Sequence, residues 1–437
     1  MPKGLRVRVP PRPQTADVAK LADAPALGAG GATRGSSNLP LGTHFDRLSV
    51  NIVEKIFFSK KDYLLATGIV LLAFLIRIPN ISYPSEPVWD EFHYTNYAIR
   101  TLNGEGAIDV HPPFMRLFFA KATYFSGFRD LSLKINIGED FKNFPYITLR
   151  FASILAGSLL AGVIYLIARK LFKENALALL PSFFVIFDGF LVTYSRLILP
   201  EIYILFFGFL GILFLLSESF FAVIMGGILI GISFSIKWSA LGFLAAGIIY
   251  LALNKKIKHI PTLILISFLT YFYIFSMIVP ADDFIKYTKA MYRGHLAFKE
   301  GEITYASHPI KWPVADDRFI LWGNGRDDII KLSPNLFSWT SVAFSLLISF
   351  YLVFRDKDKK LIFLLGGYLA SYIPFFFISR PVFLYHYIIP LVFGFLFAPF
   401  LISLLIDIFG VEKKKKILLI THIANVSFFL IFIPFIY

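Results

Sequence analysis

The 437-residue chain contains no cysteine. That excludes a disulfide framework and thiol chemistry. Charge is scarce as well: 16% of residues are Asp, Glu, Lys or Arg, against 57% hydrophobic and 17% aromatic. There is no P-loop and no GxGxxG, so no nucleotide site is legible. His93, His111, His295, His308 and His386 are present, but no two of them lie at HxxxH spacing, and Asp90-Glu91 is not a DxD. No metal site is expected.

What the chain has instead is long apolar runs from Tyr63 onward, with a mean hydropathy of +0.67. These predict an all-α polytopic membrane protein rather than a β-barrel, whose segments would be short and alternating. A crossing helix needs about 20 apolar residues. The candidate spans are 63–80, 146–168, 175–193, 200–217, 219–236, 238–253, 260–280, 335–354, 361–379, 383–406 and 416–436, eleven in all. The closely spaced pair 219–236 and 238–253 also reads as one long broken element.

The net charge of +14 would suggest nucleic acid in a soluble protein. Here the basic residues fall in short clusters: SKKD (59–62), ARKLFK (168–173), NKKIKH (254–259), RDKDKK (355–360) and EKKKK (412–416). With the first cluster inside, eleven alternating crossings place all five on the cytoplasmic side. No nucleic-acid partner is expected.

Residues 1–44 contain no Phe, Ile, Tyr or Trp and are rich in Ala, Gly, Pro and Arg. Segment 1–48 is therefore expected to be disordered. It has no signal-peptide pattern, and the abrupt change in composition predicts a true start near Leu48 to Val53. The remaining expected organisation is a transmembrane module at 49–280 with a first outer loop at 81–145, a second outer loop at 281–333, and a four-helix module at 334–437.

The first outer loop carries eight Asp or Glu and six Lys or Arg. It also holds the apolar stretch FMRLFFAKATYFSGF, too short to span, which predicts interfacial helices. Asp90 and Glu91 lie there, followed by Asp109 and His111 in DVHPP, where two prolines fix a rigid turn. Arg150 lies near the start of the second span, where a charge needs a partner or a job. Asp188, Ser195, Arg196 and Glu201 lie between spans three and four, Lys237 interrupts an apolar run, and Arg380, Tyr385 and His386 open span ten. Each of these charges is also of a type that anchors a helix end. Together, at the outer interface, they suit a lipid-linked phosphate substrate: a carboxylate takes a proton from an attacking hydroxyl, and cations stabilise a leaving phosphate.

In order along the chain, PVWDEFHY, DVHPPFMRL, YITLRFAS, FDGFLVTYSRLIL, SIKWSALGF, SHPIKWP and FLYHYIIP resemble the successive motifs of the protein O-mannosyltransferase family, over about Pro84 to Pro390. These are GT-C glycosyltransferases using dolichyl or polyprenyl phosphate mannose. The resemblance implies Asp90 as catalytic base with Glu91 as its partner, and His111 in the His-Pro-Pro. Arg150, Ser195, Arg196, Lys237, Trp312, Arg380, Tyr385 and His386 match the remaining motifs. Three features depart from the pattern. Glu201 stands where the family more often has Asp, SHPIKWP is shorter than usual, and the second outer loop has no room for the β-trefoil MIR domain of eukaryotic members. The last points to a bacterial or archaeal member.

The implied function is inverting, metal-independent transfer of mannose or another hexose to Ser/Thr hydroxyls of exported proteins. Asp90 and Glu91 are the catalytic pair, and His111, Arg150, Arg196, Glu201, Lys237, Arg380, Tyr385 and His386 bind donor phosphate or substrate. No cofactor is expected beyond the lipid-linked sugar phosphate, which is the donor. The partners are that donor, a secreted or membrane protein acceptor and the bilayer, with a homo- or heterodimer left open. The expected location is the cell membrane, with the active site on its extracytoplasmic side. A lipid or cell-wall glycan acceptor is the alternative. A transporter or flippase is disfavoured, because the charges sit at one interface and no half-repeat is visible.

Overall fold

Ser59 starts the first long helix. Its hydroxyl accepts from the Asp62 amide at 3.2 Å, and Asp62 accepts from the Ser59 amide at 3.0 Å. This capping box satisfies amides that would otherwise be unpaired at the helix end. The computed structural model describes residues 58–105, 109–217, 219–296, 305–315, 319–324 and 328–433, all within one compact unit spanning Lys55–Tyr437. The expected N-terminal segment and start site lie outside the described residues.

Helix α1 (Lys60–Arg77) leads into the first outer loop, which folds as α2 (Glu91–Leu102) and α3 (Phe114–Phe125), two helices packed on each other. The long α4 (Tyr146–Leu171) returns and packs against α1, α5 (Asn175–Ile186) and α7 (Glu201–Leu215). Between α5 and α7 the chain bends by 60° into the short α6 (Gly189–Ser195). Asp188 holds this bend. Its Oδ1 accepts from the Leu191 amide at 3.0 Å, and its Oδ2 accepts from the Asn335 amide at 3.1 Å and the Trp339 indole at 2.8 Å. The break is thereby tied to the start of α12 (Leu336–Asp356), 147 residues further on.

Helices α8 (Phe220–Phe234), α9 (Leu241–Leu253) and α10 (Ile260–Ser276) follow. Small residues let these apolar helices approach closely, as lipid-embedded packing requires. A Cβ at Gly231 would lie 2.6 Å from the Ser267 carbonyl oxygen of α10. The pair that reads as one broken element is two helices with different neighbours: α8 packs on α7 and α10, and α9 on α13 (Lys359–Tyr372). The last helices are α14 (Ile388–Phe395) and α15 (Ala398–Phe409), bent by 42° from one another, and α16 (Lys414–Phe432).

Every expected span coincides with a helix or a bent helix pair, but not all are long and apolar enough to cross a bilayer unaided. Among the described residues four helices are, or six if each bent pair is one span. Helices α7 and α8 have 15 residues each, about 22 Å, and α1 has two lysines and Asp62 in its first turn. The chain is a multi-pass membrane protein.

The second outer loop is ordered where described. Helix α11 (Phe284–Leu296) is followed by a 3-10 turn at Pro309–Val314 and an antiparallel hairpin of β1 (Ile320–Gly323) and β2 (Ile329–Lys331). The hairpin reaches the first outer loop, where the Trp322 indole donates to Glu86 Oε1 at 2.8 Å.

Candidate active site

Asp90 and Glu91 are adjacent, and successive helical residues project about 100° apart. The fold uses that angle to give the two carboxylates opposite fates. Glu91, at the first turn of α2, is fully buried. Its oxygens accept from Arg150 Nε at 2.9 Å, Arg150 Nη2 at 2.6 Å, the Ile198 amide at 2.8 Å and the Val88 amide at 2.9 Å. Asp90 is the helix N-cap by position, yet its side chain makes no capping hydrogen bond. It stays half-buried, and its carboxylate has no hydrogen-bond or ion-pair partner among the described residues. The preceding Trp89 has a left-handed backbone with φ +51°, uncommon for a bulky residue.

Arg150 uses all five N–H donors on protein: two on Glu91, two from Nη1 to the Ile81 and Pro84 carbonyls, and one from Nη2 to the Glu86 carbonyl. Its guanidinium also lies over the Phe141 and Tyr146 rings. Arg196 donates from Nη1 to the Arg77 and Pro79 carbonyls and from Nη2 to the Asn80 carbonyl. Ser195 accepts from Arg77 Nε at 2.9 Å. The sequence suggests Arg150 and Arg196 as phosphate ligands. Here they hold the exit of α1 against α4 and α6 instead. The reason is physical: the carbonyls of the irregular segment after Arg77 need donors, and a guanidinium supplies several in a fixed fork.

The groups around Asp90 come from elsewhere. Lys237 follows α8, with its Nζ 2.5 Å from Glu201 Oε1 and 5.5 Å from the centre of the Tyr385 ring. Tyr385 stacks on His386 at 4.4 Å and lies 6.1 Å from Tyr194. His386 in turn stacks on the fully buried Trp312 at 6.2 Å. Arg380, half-buried, has no hydrogen-bond or ion-pair partner among the described residues. His111 completes the group, its ring 5.5 Å from that of His295.

Burial pushes the Asp90 carboxyl up to about 7. Lys237 opposes the shift, while Glu201 and Asp109 reinforce it. Burial likewise raises Asp109, against the pull of Arg116 and the Val110 and His111 amides. Burial drives His111 well below the usual imidazole range, with Lys237 adding to the effect. The cluster therefore combines a carboxylate tuned near neutrality, neutral imidazoles and two cations, of which Lys237 is paired and Arg380 has no partner among the described residues. It can take a proton from a hydroxyl and hold an anion.

Sequence reasoning misses His295 as a member of this group, considering it only as a metal ligand. The signal is absent because His295 joins through α11, whose docking on the His-Pro-Pro turn is a tertiary event.

The chain folds as a multi-pass helical membrane protein. Residues 67–290 match the family described as dolichyl-phosphate-mannose-protein mannosyltransferase, and residues 280–437 match the C-terminal four-transmembrane region of protein O-mannosyltransferases. The chain belongs to this family. Among curated relatives, dolichyl-phosphate-mannose–protein mannosyltransferase 4 of Schizosaccharomyces pombe is 34% identical over 152 residues, which is 34% of this chain and 20% of that protein. The match thus spans about a fifth of that relative's length. Among solved structures, the Saccharomyces cerevisiae protein O-mannosyltransferase Pmt1–Pmt2 complex bound to the sugar donor superposes with a TM-score of 0.78 at 16% identity, covering 88% of this chain and 91% of that one. The apo oligosaccharyltransferase of Archaeoglobus fulgidus gives a TM-score of 0.56 at 13% identity, covering 86% of this chain and 57% of that one. At these identities the likeness concerns the fold.

Proposed function

We propose that this chain transfers mannose from dolichyl or polyprenyl phosphate to Ser or Thr hydroxyls of exported proteins, with inversion. The observation that carries the reading is the divided pair: Glu91 locked to Arg150, and Asp90 uncommitted beside Lys237. Family membership supports the donor and the acceptor class.

Asp90 removes the proton from the acceptor hydroxyl. That oxygen attacks the sugar C1 from the face opposite the phosphate. The C1–O bond to phosphate breaks, and its electron pair leaves on the polyprenyl phosphate. Arg380, with no protein acceptor among the described residues, and Lys237 hold the departing phosphate. His111, Tyr385 and His386 line the site, and Glu201 orients Lys237. Arg150 and Arg196 position the loop that carries Asp90. The scheme needs no resident cofactor.

In this reading the chain crosses the membrane eleven times, the short apolar helices included, with its lysine clusters in the cytoplasm. The cluster then faces the extracytoplasmic side of the cell membrane. A second subunit, as in the Pmt1–Pmt2 complex, fits the reading.

The test uses purified protein in detergent, radiolabelled polyprenyl-phosphate mannose and a Ser/Thr-rich peptide. Label on the peptide from wild type and none from Asp90→Asn is the expected result. Equal labelling by both proteins would defeat the assignment.

A further inference from the structure

Asp90 lies in a tight turn, Val88 to Glu91, closed by the Glu91 amide donating to the Val88 carbonyl at 3.0 Å. The second residue of that turn is Trp89, with φ +51°. Glycine is the usual residue at such a position, because a bulky side chain there is strained. A tryptophan persists there only when its surroundings hold it. Its indole Nε1 is buried with no hydrogen-bond partner among the described residues, so packing holds the ring.

That packing comes largely from the second outer loop. Phe319, fully buried, meets the Trp89 ring edge to face with 4.6 Å between centres. It also lies 5.3 Å from Tyr305, 5.8 Å from Phe383 and 6.1 Å from Tyr385. Phe319 therefore joins the turn that carries Asp90 to the Tyr385 ring beside Lys237. Its backbone belongs to the hairpin: Phe319 directly precedes β1, and its carbonyl accepts from the amide of Leu332, just past β2, at 2.9 Å. The same hairpin holds the start of the segment. Trp322 of β1 donates to Glu86 at 2.8 Å and meets the Tyr83 ring edge to face at 5.6 Å. One hairpin thus pins residues 83–89 at both ends, while Arg150 anchors Glu91. Asp90 sits between these anchors with no hydrogen bond from its carboxylate among the described residues. Its place is set by its neighbours.

We infer that Phe319 is a positioning residue for the transfer: through Trp89 it holds the Asp90 carboxylate where the acceptor hydroxyl is met, which makes the hairpin of the second outer loop part of the catalytic apparatus. The inference rests on the reading of Asp90 as the base.

The test compares wild type, Phe319→Ala, Phe319→Leu, Asp90→Asn and the two double variants in detergent, with polyprenyl-phosphate mannose and a Ser/Thr-rich peptide. Single-turnover rates, followed over long incubations for the slow variants, and binding of free polyprenyl phosphate are measured on the folded fraction beside melting curves. Phe319→Ala is expected to lower the transfer rate by about 10–10²-fold, the scale of a reacting group displaced by about 1 Å. Binding of polyprenyl phosphate does not move. Phe319→Leu, which keeps apolar bulk against Trp89, loses about threefold and melts close to wild type, so it carries the comparison should the alanine protein not fold. In the Asp90→Asn background neither substitution lowers the residual rate further, because the group it positions is gone. A merely structural residue lowers both backgrounds equally. An equal fall in both backgrounds, weakened binding of polyprenyl phosphate, or an unchanged transfer rate in the Phe319 variants overturns the inference. Asp90→Asn that transfers as fast as wild type, or wild type that labels no peptide, defeats instead the reading of Asp90 on which the inference rests.

Discussion

Glu91 and Arg150, 59 residues apart in sequence, form a fully buried two-point ion pair with contacts of 2.6 and 2.9 Å. Around it, amides of Val88 and Ile198 and carbonyls of Ile81, Pro84 and Glu86 complete the bonding of both groups. The pair fixes the start of α2, and so the place of Asp90. Breaking one side leaves a buried charge alone, at a cost of about 3–5 kcal/mol. Arg150→Ala should therefore lower the midpoint of thermal unfolding in detergent and the yield of folded protein. Arg150→Lys should not restore it, since an ammonium cannot reproduce a five-donor fork.

Asp90→Asn should behave in the opposite way. The Asp90 side chain makes no capping bond, so its removal should leave stability within about 1 kcal/mol of wild type. Mannosyl transfer should fall by about 10²–10⁴-fold, the usual contribution of a general base. Single-turnover rates beside melting curves on the same samples separate the two effects.

The Asp90 carboxyl is held at about 7, mainly by burial. A base works only when ionised, so kcat/KM should rise with pH through about 7 and level off above it. An ordinary aspartate would place that limb near 4. Glu201 raises the Asp90 value through its charge, so Glu201→Gln should move the limb to lower pH. A pH profile of both proteins checks the position of the limb and the direction of its shift.

Arg380 and Arg196 should separate binding from architecture. Arg380 has no ion-pair partner among the described residues. Arg380→Gln should weaken inhibition by free polyprenyl phosphate by about tenfold or more, with little change in melting. Arg196 donates to three backbone carbonyls after α1. Arg196→Gln should lower the melting midpoint while the remaining folded fraction keeps its affinity for the phosphate.

Much of the candidate site is legible in the amino-acid sequence. The motifs around Asp90, His111, Lys237, Tyr385 and His386 are contiguous strings, and their residues do converge. Arg150 and Arg196 are visible too, but not their employment: a sequence shows a guanidinium and hides the carbonyls that fill its donors. The short helices α7 and α8 are legible as apolar runs, whereas their lengths depend on where the chain turns. The hairpin Ile320–Lys331 is not legible, because strands of 4 and 3 residues carry almost no periodic signal.

The sequence by itself determined the solvent this protein lives in, the clustering of its lysines between apolar runs and the family to which it belongs. Those properties follow from composition and from short contiguous motifs. Only the tertiary structure decided which of two neighbouring carboxylates is locked in an ion pair and which makes no hydrogen bond among the described residues. It also decided which arginines are spent on backbone carbonyls, and it brought His295 to the site. Each of those depends on which atoms, far apart along the chain, meet in a water-poor interior, and hydrogen bonds there are either completed or left open by packing alone.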